Sequence, residues 1–253
     1  DDAQVDALAG ALADVLGDVR PSSPEIRASP AVALVPRRRR VLAVVGTDTG
    51  VGKTVVSALL CRALARAGVP VRYLTPVQTG QDADTATVRR LAGAALDGGP
   101  EPLVALPLPA SVDQAAAAAG VRVDVDDVVR GVGRLLAADA DAAWIVEGAG
   151  GLLVPVDETA DLGDVLARCV RDVVLVGRSG LGTLNHTLLT AEALARRRLR
   201  LRAVVLVGPR HEANERSLAA RLDAPLFAFP HLPEVTPAAL DAWLAHDLAG
   251  VVP

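Results

Sequence analysis

The sequence predicts an α/β fold in which helices cover both faces of a doubly wound, mostly parallel sheet of about seven strands. From Val41 onwards, short apolar segments alternate with longer segments of helical periodicity, which is typical of βαβ units. The chain has 253 residues, of which 51% are hydrophobic, and this is enough for one sizeable core. We therefore expect a single main domain over residues 41–253.

Strands and helices are expected to alternate along this domain. The predicted strands are 41–46, 70–75, 102–106, 143–147, 172–177, 202–207 and 225–229. The predicted helices are 53–67, 84–94, 123–138, 161–170, 183–198, 212–221 and 236–247. In such sheets ligands bind beyond the carboxyl ends of the strands, so the loops that follow the strands are expected to carry the chemistry.

Residues 1–40 are predicted to form an N-terminal appendage. Apolar residues between Val5 and Val19 recur at spacings of three and four, which predicts one short amphipathic helix. Several prolines and the basic run Arg37–Arg40 follow this helix and break the periodicity. The end of a fused neighbouring module, a dimer contact and an ordered leader remain open interpretations.

Charge and cysteine usage narrow the classes of function. A net charge of -4 and a pI near 5.6 give no general attraction to polyanions, so we expect no nucleic-acid partner. No apolar run reaches the roughly 18–20 residues that span a bilayer, and no signal peptide is evident, so no membrane partner is expected. Cys61 and Cys169 form no CxxC pattern, which favours a reducing cytoplasm.

A glycine-rich segment lies between the first strand and the first helix. Residues Gly46–Thr54 read GTDTGVGKT, and Thr47 stands where the strict phosphate-loop pattern has its first glycine. Glycines let backbone N–H groups face phosphates, Lys53 can reach the terminal phosphates, and the Thr54 hydroxyl can bind Mg²⁺. Lys53 is also the only lysine in the chain. The segment predicts a P-loop site for a nucleoside triphosphate.

Two carboxylates are candidate partners for the metal, because hard Mg²⁺ prefers oxygen ligands. Glu147 ends the apolar strand that precedes Gly148–Gly151, so its carboxylate is expected at the ligand-binding edge of the sheet. Asp84 opens the predicted helix that follows the second strand. An ordinary helix N-cap remains an open interpretation of Asp84.

Four motifs in the expected loops resemble those of the dethiobiotin synthetase family. The phosphate loop fits GTDTxVGKT, and Val146–Gly151 resembles VEGAGG. The loop Thr75–Gly80 reads TPVQTG, close to KPVxTG, and Gly180–Thr187 resembles the helix start GLGTLNHT. The resemblance covers about residues 41–245.

This resemblance implies roles for individual residues. Mg²⁺ would be bound by Thr54, Asp84 and Glu147. Groups at the site of chemistry would be Lys53, Thr75 and Thr79. The diamine would face Thr79, Gly150, Gly151 and Asn185. Nucleotide contacts would come from Gly50, Val51, Gly52, Lys53, Thr54, Val55, Glu147, Gly148, Ala149, Gly150, Gly208, Pro209, Pro230, His231 and Leu232. The base is left open, because the asparagine that often binds adenine is not evident after the sixth strand.

The implied reaction joins 7,8-diaminononanoate and CO₂ at the expense of ATP, within a homodimer. A carbamate of the diamine would attack the γ-phosphate, and the second amine would then close the ring to dethiobiotin. Thr75 departs from the family, which has a lysine there. Three interpretations stay open: an arginine such as Arg72 or Arg210 occupies the place of the lysine in space, the site is engineered or impaired, or the chain binds ligands without turnover.

Two related P-loop classes are alternatives to the synthetase family. ATP-dependent amidotransferases of the cobyrinate a,c-diamide type need a nucleophilic cysteine, and neither Cys61 nor Cys169 is expected on a nucleophile turn. Switch ATPases of the MinD and ParA type usually carry a second lysine early in the loop, where this sequence has Asp48. Both classes are therefore disfavoured.

Overall fold

A computed structural model describes residues 40–248 of the chain, apart from 82–83, 97–98 and 233. The predicted N-terminal helix and nearly all of the predicted appendage lie outside these residues. None of the described helices combines the length and the hydropathy needed to cross a bilayer.

Eight strands are found in the described part of the chain. They are β1 (Val41–Gly46), β2 (Val71–Leu74), β3 (Val77–Thr79), β4 (Val104–Leu106), β5 (Ala143–Gly151), β6 (Asp172–Arg178), β7 (Arg200–Val207) and β8 (Leu226–Phe229). Six of them form one sheet in the order β2-β5-β1-β6-β7-β8, and every neighbouring pair is parallel. The predicted doubly wound α/β class is thereby confirmed.

The predicted third strand, 102–106, does not join the main sheet. Only Val104–Leu106 of this range forms a strand, β4, which pairs in parallel with β3 in a separate two-stranded sheet. Pro76 follows β2 closely and has no N–H to donate to a ladder, which favours the end of the strand there. The Pro76 carbonyl instead accepts from the N–H groups of Leu103 and Val104, at 3.1 and 3.2 Å. This small sheet forms beside the carboxyl edge of the main one.

The described helices are α1 (Lys53–Arg66), α2 (Asp84–Ala92), α3 (Val112–Ala119), α4 (Val125–Ala138), α5 (Leu162–Cys169), α6 (Thr183–Arg196), α7 (Glu212–Ala219) and α8 (Pro237–Leu248), with a 3₁₀ turn at Gly93–Leu96. Helix α4 begins two residues later than predicted, because the Asp124 side chain accepts from Asp127 N–H and caps the helix. Helix α3 was not predicted, since its run of alanines carries no contrast between an apolar and a polar face.

The strands of the main sheet are buried on both faces. Alternate residues of β1 enter two separate cores: Val41, Ala43 and Val45 pack into one, and Leu42 and Val44 into the other. Helices α4, α5 and α6 contribute to the first core, and α1, α2 and α8 to the second. Burial of this kind fixes the strands, and with them the loops at their carboxyl ends.

Candidate active site

A cavity of about 600 Å³ lies at the carboxyl edge of the main sheet. Its walls come from the phosphate loop and the start of α1, from strand β3, from the first residue of α2, from the segment that leads into α3, and from the end of β5. The lining residues are Thr49, Gly50, Gly52, Lys53, Thr54, Gln78, Thr79, Asp84, Pro109, Ala110, Ser111, Val112, Glu147, Gly148, Ala149, Gly150 and Val154. The cavity thus occupies the position at which ligands bind in sheets of this type.

The phosphate loop connects β1 to the first turn of α1. Its Gly50 and Gly52 have positive φ angles of 69° and 100°, which favour glycine. A Cβ at Gly52 would also lie 3.2 Å from the methyl groups of Val207, the last residue of β7. Gly46 is constrained differently, because its Cβ would lie 2.6 Å from the backbone oxygen of Asp48. The loop can therefore approach a ligand through its backbone.

Lys53 is buried, with 8% of its surface exposed, and its ammonium donates to the Asp48 carbonyl at 3.1 Å. Burial lowers the pKa of Lys53, and the nearby carboxylates of Glu147, Asp84 and Asp48 oppose that shift. Among the described residues that line the cavity, Lys53 is the only cationic one. An anionic ligand there would meet a single ammonium group.

Thr54, Asp84 and Glu147 converge at one end of the cavity. The Thr54 hydroxyl lies 2.9 Å from Asp84 Oδ1 and 3.0 Å from Glu147 Oε1. The single hydroxyl hydrogen of Thr54 can be donated fully to only one of these carboxylates at a time. The set offers only hard oxygen donors, two of them charged, and therefore fits Mg²⁺. The structure thus brings together the three residues expected to bind the metal.

Glu147 is buried, with 1% of its surface exposed. Its Oε2 accepts from the Ser57 hydroxyl at 2.6 Å and from the Tyr73 hydroxyl at 2.9 Å. Burial raises the pKa of Glu147 to about 7; Asp84 adds to the rise, and Ser57, Tyr73 and Lys53 oppose it. A bound cation would compensate the cost of keeping this carboxylate ionised.

Thr75 does not line the cavity. It is buried, with 2% of its surface exposed, and its hydroxyl lies 2.7 Å from that of Tyr73. The two arginines considered as substitutes for the family lysine are engaged elsewhere: Arg72 pairs with Asp139 at 2.9 Å and Arg210 with Glu215 at 3.4 Å. Neither arginine lines the cavity. The structure therefore gives no support to substitution by Arg72 or Arg210.

Only some of the residues expected to face the diamine line the cavity. Thr79 and Gly150 line the cavity. Gly151 pairs with Gly46 across β5 and β1, and a Cβ there would lie 3.7 Å from the Thr47 carbonyl, so it packs against the phosphate loop. Asn185 is exposed in the first turn of α6 and does not line the cavity.

The remaining residues expected to contact the nucleotide lie in the phosphate loop, in α1, in β5, and after β7 and β8. Val51 is buried in the core, Val55 packs against it, and a Cβ at Gly148 would clash with Leu162 at 2.7 Å. Gly208 has φ 137°, and its N–H donates to Phe229 at 2.9 Å. Pro209, Pro230, His231 and Leu232 follow the adjacent ends of β7 and β8, outside the cavity lining.

Several site residues were missed by the sequence analysis. Ser57 and Tyr73 bond to Glu147, and the segment Pro109–Val112 forms a wall of the cavity. The Ser111 hydroxyl is buried and has no hydrogen-bond partner among the described residues. A signal existed for Ser57, which lies three residues after Thr54 and so shares its face of the helix.

Comparisons with known proteins agree with this architecture. A family model described as an AAA domain matches residues 40–239. The MinC:MinD cell division complex of Aquifex aeolicus is similar to the chain with a TM-score of 0.53 at 15% identity, covering 84% of this chain and 97% of that chain. At that identity the likeness shows the fold alone.

Curated relatives are much more similar in sequence. An ATP-dependent dethiobiotin synthetase of Rhodopseudomonas palustris is 41% identical over 210 residues, covering 81% of this chain and 92% of the relative. One of Paramagnetospirillum magneticum is 41% identical over 177 residues, covering 69% and 80%. The bifunctional biotin biosynthesis protein of Bordetella avium is 41% identical over 211 residues, covering 82% of this chain but 43% of that protein. The chain belongs to the family of ATP-dependent dethiobiotin synthetases.

Proposed function

We propose that this chain is a dethiobiotin synthetase, which uses ATP and Mg²⁺ to convert 7,8-diaminononanoate and CO₂ into dethiobiotin, in biotin biosynthesis. The observation that carries the proposal is the convergence of Thr54, Asp84 and Glu147 beside Lys53. This is the arrangement needed to hold a metal–triphosphate complex at a P-loop. The sequence identity to family members supports the choice of substrates.

The reaction we propose has two bond-forming steps after capture of CO₂ on one amine. The carbamate oxygen attacks the γ-phosphorus, and the bond to ADP breaks. The second amine then attacks the carbamate carbon and expels phosphate, which closes the ring. Neither step needs a nucleophile from the protein, and Cys61 and Cys169 do not line the cavity.

The protein mainly positions the reactants and balances charge. Backbone N–H groups of the phosphate loop and the Lys53 ammonium would hold the phosphates. Thr54, Asp84 and Glu147 would hold Mg²⁺, which neutralises charge on phosphate oxygens. Gly208, Pro209 and Pro230–Leu232 would flank the base.

The diamine is proposed to lie between Thr79 and Gly150, which both line the cavity. The Ser111 hydroxyl, which has no hydrogen-bond partner in the part of the chain that the structure describes, is available to a polar group of this substrate. Gly151 would act by holding the phosphate loop in place. Asn185 would contact the substrate of a second copy, because it is exposed and does not line the cavity of its own chain.

We also propose a homodimer and a cytoplasmic location. Leu181 is completely exposed and precedes the start of α6, within the segment that resembles the family's interface motif. A second copy covering this leucine would remove apolar surface from water. Both cysteines are free thiols, which fits a reducing compartment.

The competing function is nucleotide binding without turnover. It is favoured by one observation: the described residues that line the cavity include a single cation, whereas the family has a further lysine at position 75. Removing one charged donor from such a site slows catalysis by about 10²–10³-fold. Slow but measurable turnover is therefore the expectation.

The test measures phosphate release with MgATP and bicarbonate, with and without 7,8-diaminononanoate. The protein is compared with Thr75→Lys, and Lys53→Gln serves as the inactive control. We expect diamine-dependent release from the unmodified protein and from Thr75→Lys. Release only from Thr75→Lys would show an impaired site on a synthetase scaffold. Absence of diamine-dependent release from both would refute the proposed function.

A further inference from the structure

The carboxylate of Glu147 presents its two oxygens to different partners. Its Oε1 faces the Thr54 hydroxyl at 3.0 Å, on the cavity side. Its Oε2 faces the protein interior, where Ser57 donates at 2.6 Å and Tyr73 at 2.9 Å. Two donors on one oxygen restrict rotation of the carboxylate and leave the other oxygen directed towards Thr54 and Asp84.

The hydroxyl of Tyr73 is itself held by Thr75. Tyr73 has one hydroxyl hydrogen, which it donates to the ionised Glu147 carboxylate. The Tyr73 oxygen can then only accept from Thr75, whose hydroxyl lies 2.7 Å away. The three groups form a directed chain from Thr75 through Tyr73 to Glu147, and all three are buried. Buried hydrogen-bond chains of this kind reinforce one another.

We propose that Ser57, Tyr73 and Thr75 are positioning residues that aim the Glu147 carboxylate at the metal. Thr75 contributes a hydrogen-bond donor to this network, at a position where the family carries a lysine. The inference rests on the proposed function only in taking Glu147 as a ligand of Mg²⁺. It extends that function by assigning Thr75 the role of orienting Glu147 through Tyr73.

The geometry distinguishes this task from ordinary core packing. A packing role would need only the methyl group of Thr75, whereas the chain to Glu147 needs its hydroxyl. Thr75→Val keeps the shape and removes the donor, and Thr75→Ser keeps the donor and removes the methyl group. The pair therefore separates the two roles at one position.

The experiment uses Mn²⁺ as a spectroscopic substitute for Mg²⁺. The Mn²⁺ affinity of the complex with a non-hydrolysable ATP analogue is measured from the loss of the free-ion electron paramagnetic resonance signal. The affinity for a fluorescent form of the analogue is measured separately in EDTA. We expect Thr75→Val to weaken Mn²⁺ binding about two- to tenfold, the range for one hydrogen bond, with metal-free analogue binding unchanged. Thr75→Ser should restore the Mn²⁺ affinity.

Tyr73→Phe provides a second, independent variant. It removes the donor next to Glu147 and should weaken Mn²⁺ binding at least as much as Thr75→Val. Adding Thr75→Val to Tyr73→Phe should cause no further loss, because both act through the same hydroxyl. Ser57 donates to Glu147 directly and is not part of the hydrogen-bond chain through Tyr73. Combining Ser57→Ala with Thr75→Val should therefore weaken Mn²⁺ binding more than Thr75→Val alone.

Three outcomes would overturn the inference. The first is an unchanged Mn²⁺ affinity in a folded Thr75→Val or Tyr73→Phe protein. The second is failure of Thr75→Ser to restore the affinity. The third is an equal loss of metal-dependent and metal-free analogue binding, which would indicate a general structural role. None of these measurements uses the diamine, so absence of turnover would refute the proposed function without affecting this result.

Discussion

Replacement of Glu147 by glutamine should stabilise the metal-free protein at alkaline pH. Glutamine has the shape of glutamate without its charge. Its amide oxygen can accept from Ser57 and Tyr73, which donate to Oε2 of Glu147, and its NH₂ group can face Thr54 and Asp84, near the position of Oε1. The substitution therefore removes a buried charge while a partner remains for each hydrogen bond.

The size of the effect follows from the pKa of Glu147. Burial raises this pKa from 4.5 to about 7, a difference that corresponds to about 3 kcal/mol less stability for the ionised than for the protonated folded state. Between these pH values the folded state binds more protons than the unfolded state, so the stability of the native protein falls as the pH rises. The stability that the native protein gains from protonated Glu147 is fully present below pH 4.5 and is lost as the pH rises through about 7.

The assay is urea unfolding of both proteins in EDTA at pH 5 and pH 8. We expect Glu147→Gln to exceed the native protein in free energy of unfolding by up to about 3 kcal/mol at pH 8, and by much less at pH 5. Addition of Mg²⁺ with an ATP analogue should stabilise the native protein far more than the variant. Equal differences at the two pH values, or a less stable variant at pH 8, would refute the reasoning.

Three further predictions concern other parts of the molecule. Gly52→Ala should lower the free energy of unfolding, measured in urea, by about 1–3 kcal/mol, because Gly52 has a positive φ and the new Cβ would contact Val207. Gly50→Ala should lower it by less, because no atom lies within 4 Å of the new Cβ. Both thiols should resist iodoacetamide at pH 8 until the protein unfolds, as mass spectrometry would detect, because burial raises the pKa of Cys61 strongly and that of Cys169 to about 11. Leu181→Glu should lower the mass measured by light scattering to that of a monomer, whereas Leu108→Glu should not; an unchanged mass would exclude Leu181 from the interface.

The local patterns in the sequence predicted most elements of the main sheet. Strand β1 and helix α1 were predicted to within one residue, because the strand is continuously apolar and the helix begins directly after the phosphate loop. The separate pairing of β3 with β4 could not be predicted in the same way. Both strands have three residues, and their partnership depends on the Pro76 carbonyl, which bonds to residues far along the chain.

The site was predictable where its residues come from loops with specific motifs. Thr54 and Glu147 were named from such motifs and Asp84 from the start of the helix after the second strand, and the structure brings the three together. The support of Glu147 was missed, although one part had a signal: Tyr73 and Thr75 are two residues apart on an extended segment and so share one side. The bond from Tyr73 to Glu147 depends on the alignment of β2 with β5, which no local sequence pattern indicates.

The pairing of β1 with β5 also bears on how the protein folds. Val44 lies opposite Glu147 in this register, and a slip by one residue would turn the carboxylate to the other face of the sheet. Thr54 and Glu147 are separated by 93 positions along the chain, so this contact requires closure of a long loop. Metal affinity should therefore appear late in refolding, after helix α1 has formed. Recovery of Mn²⁺ binding would time the moment at which the central strands reach their final alignment.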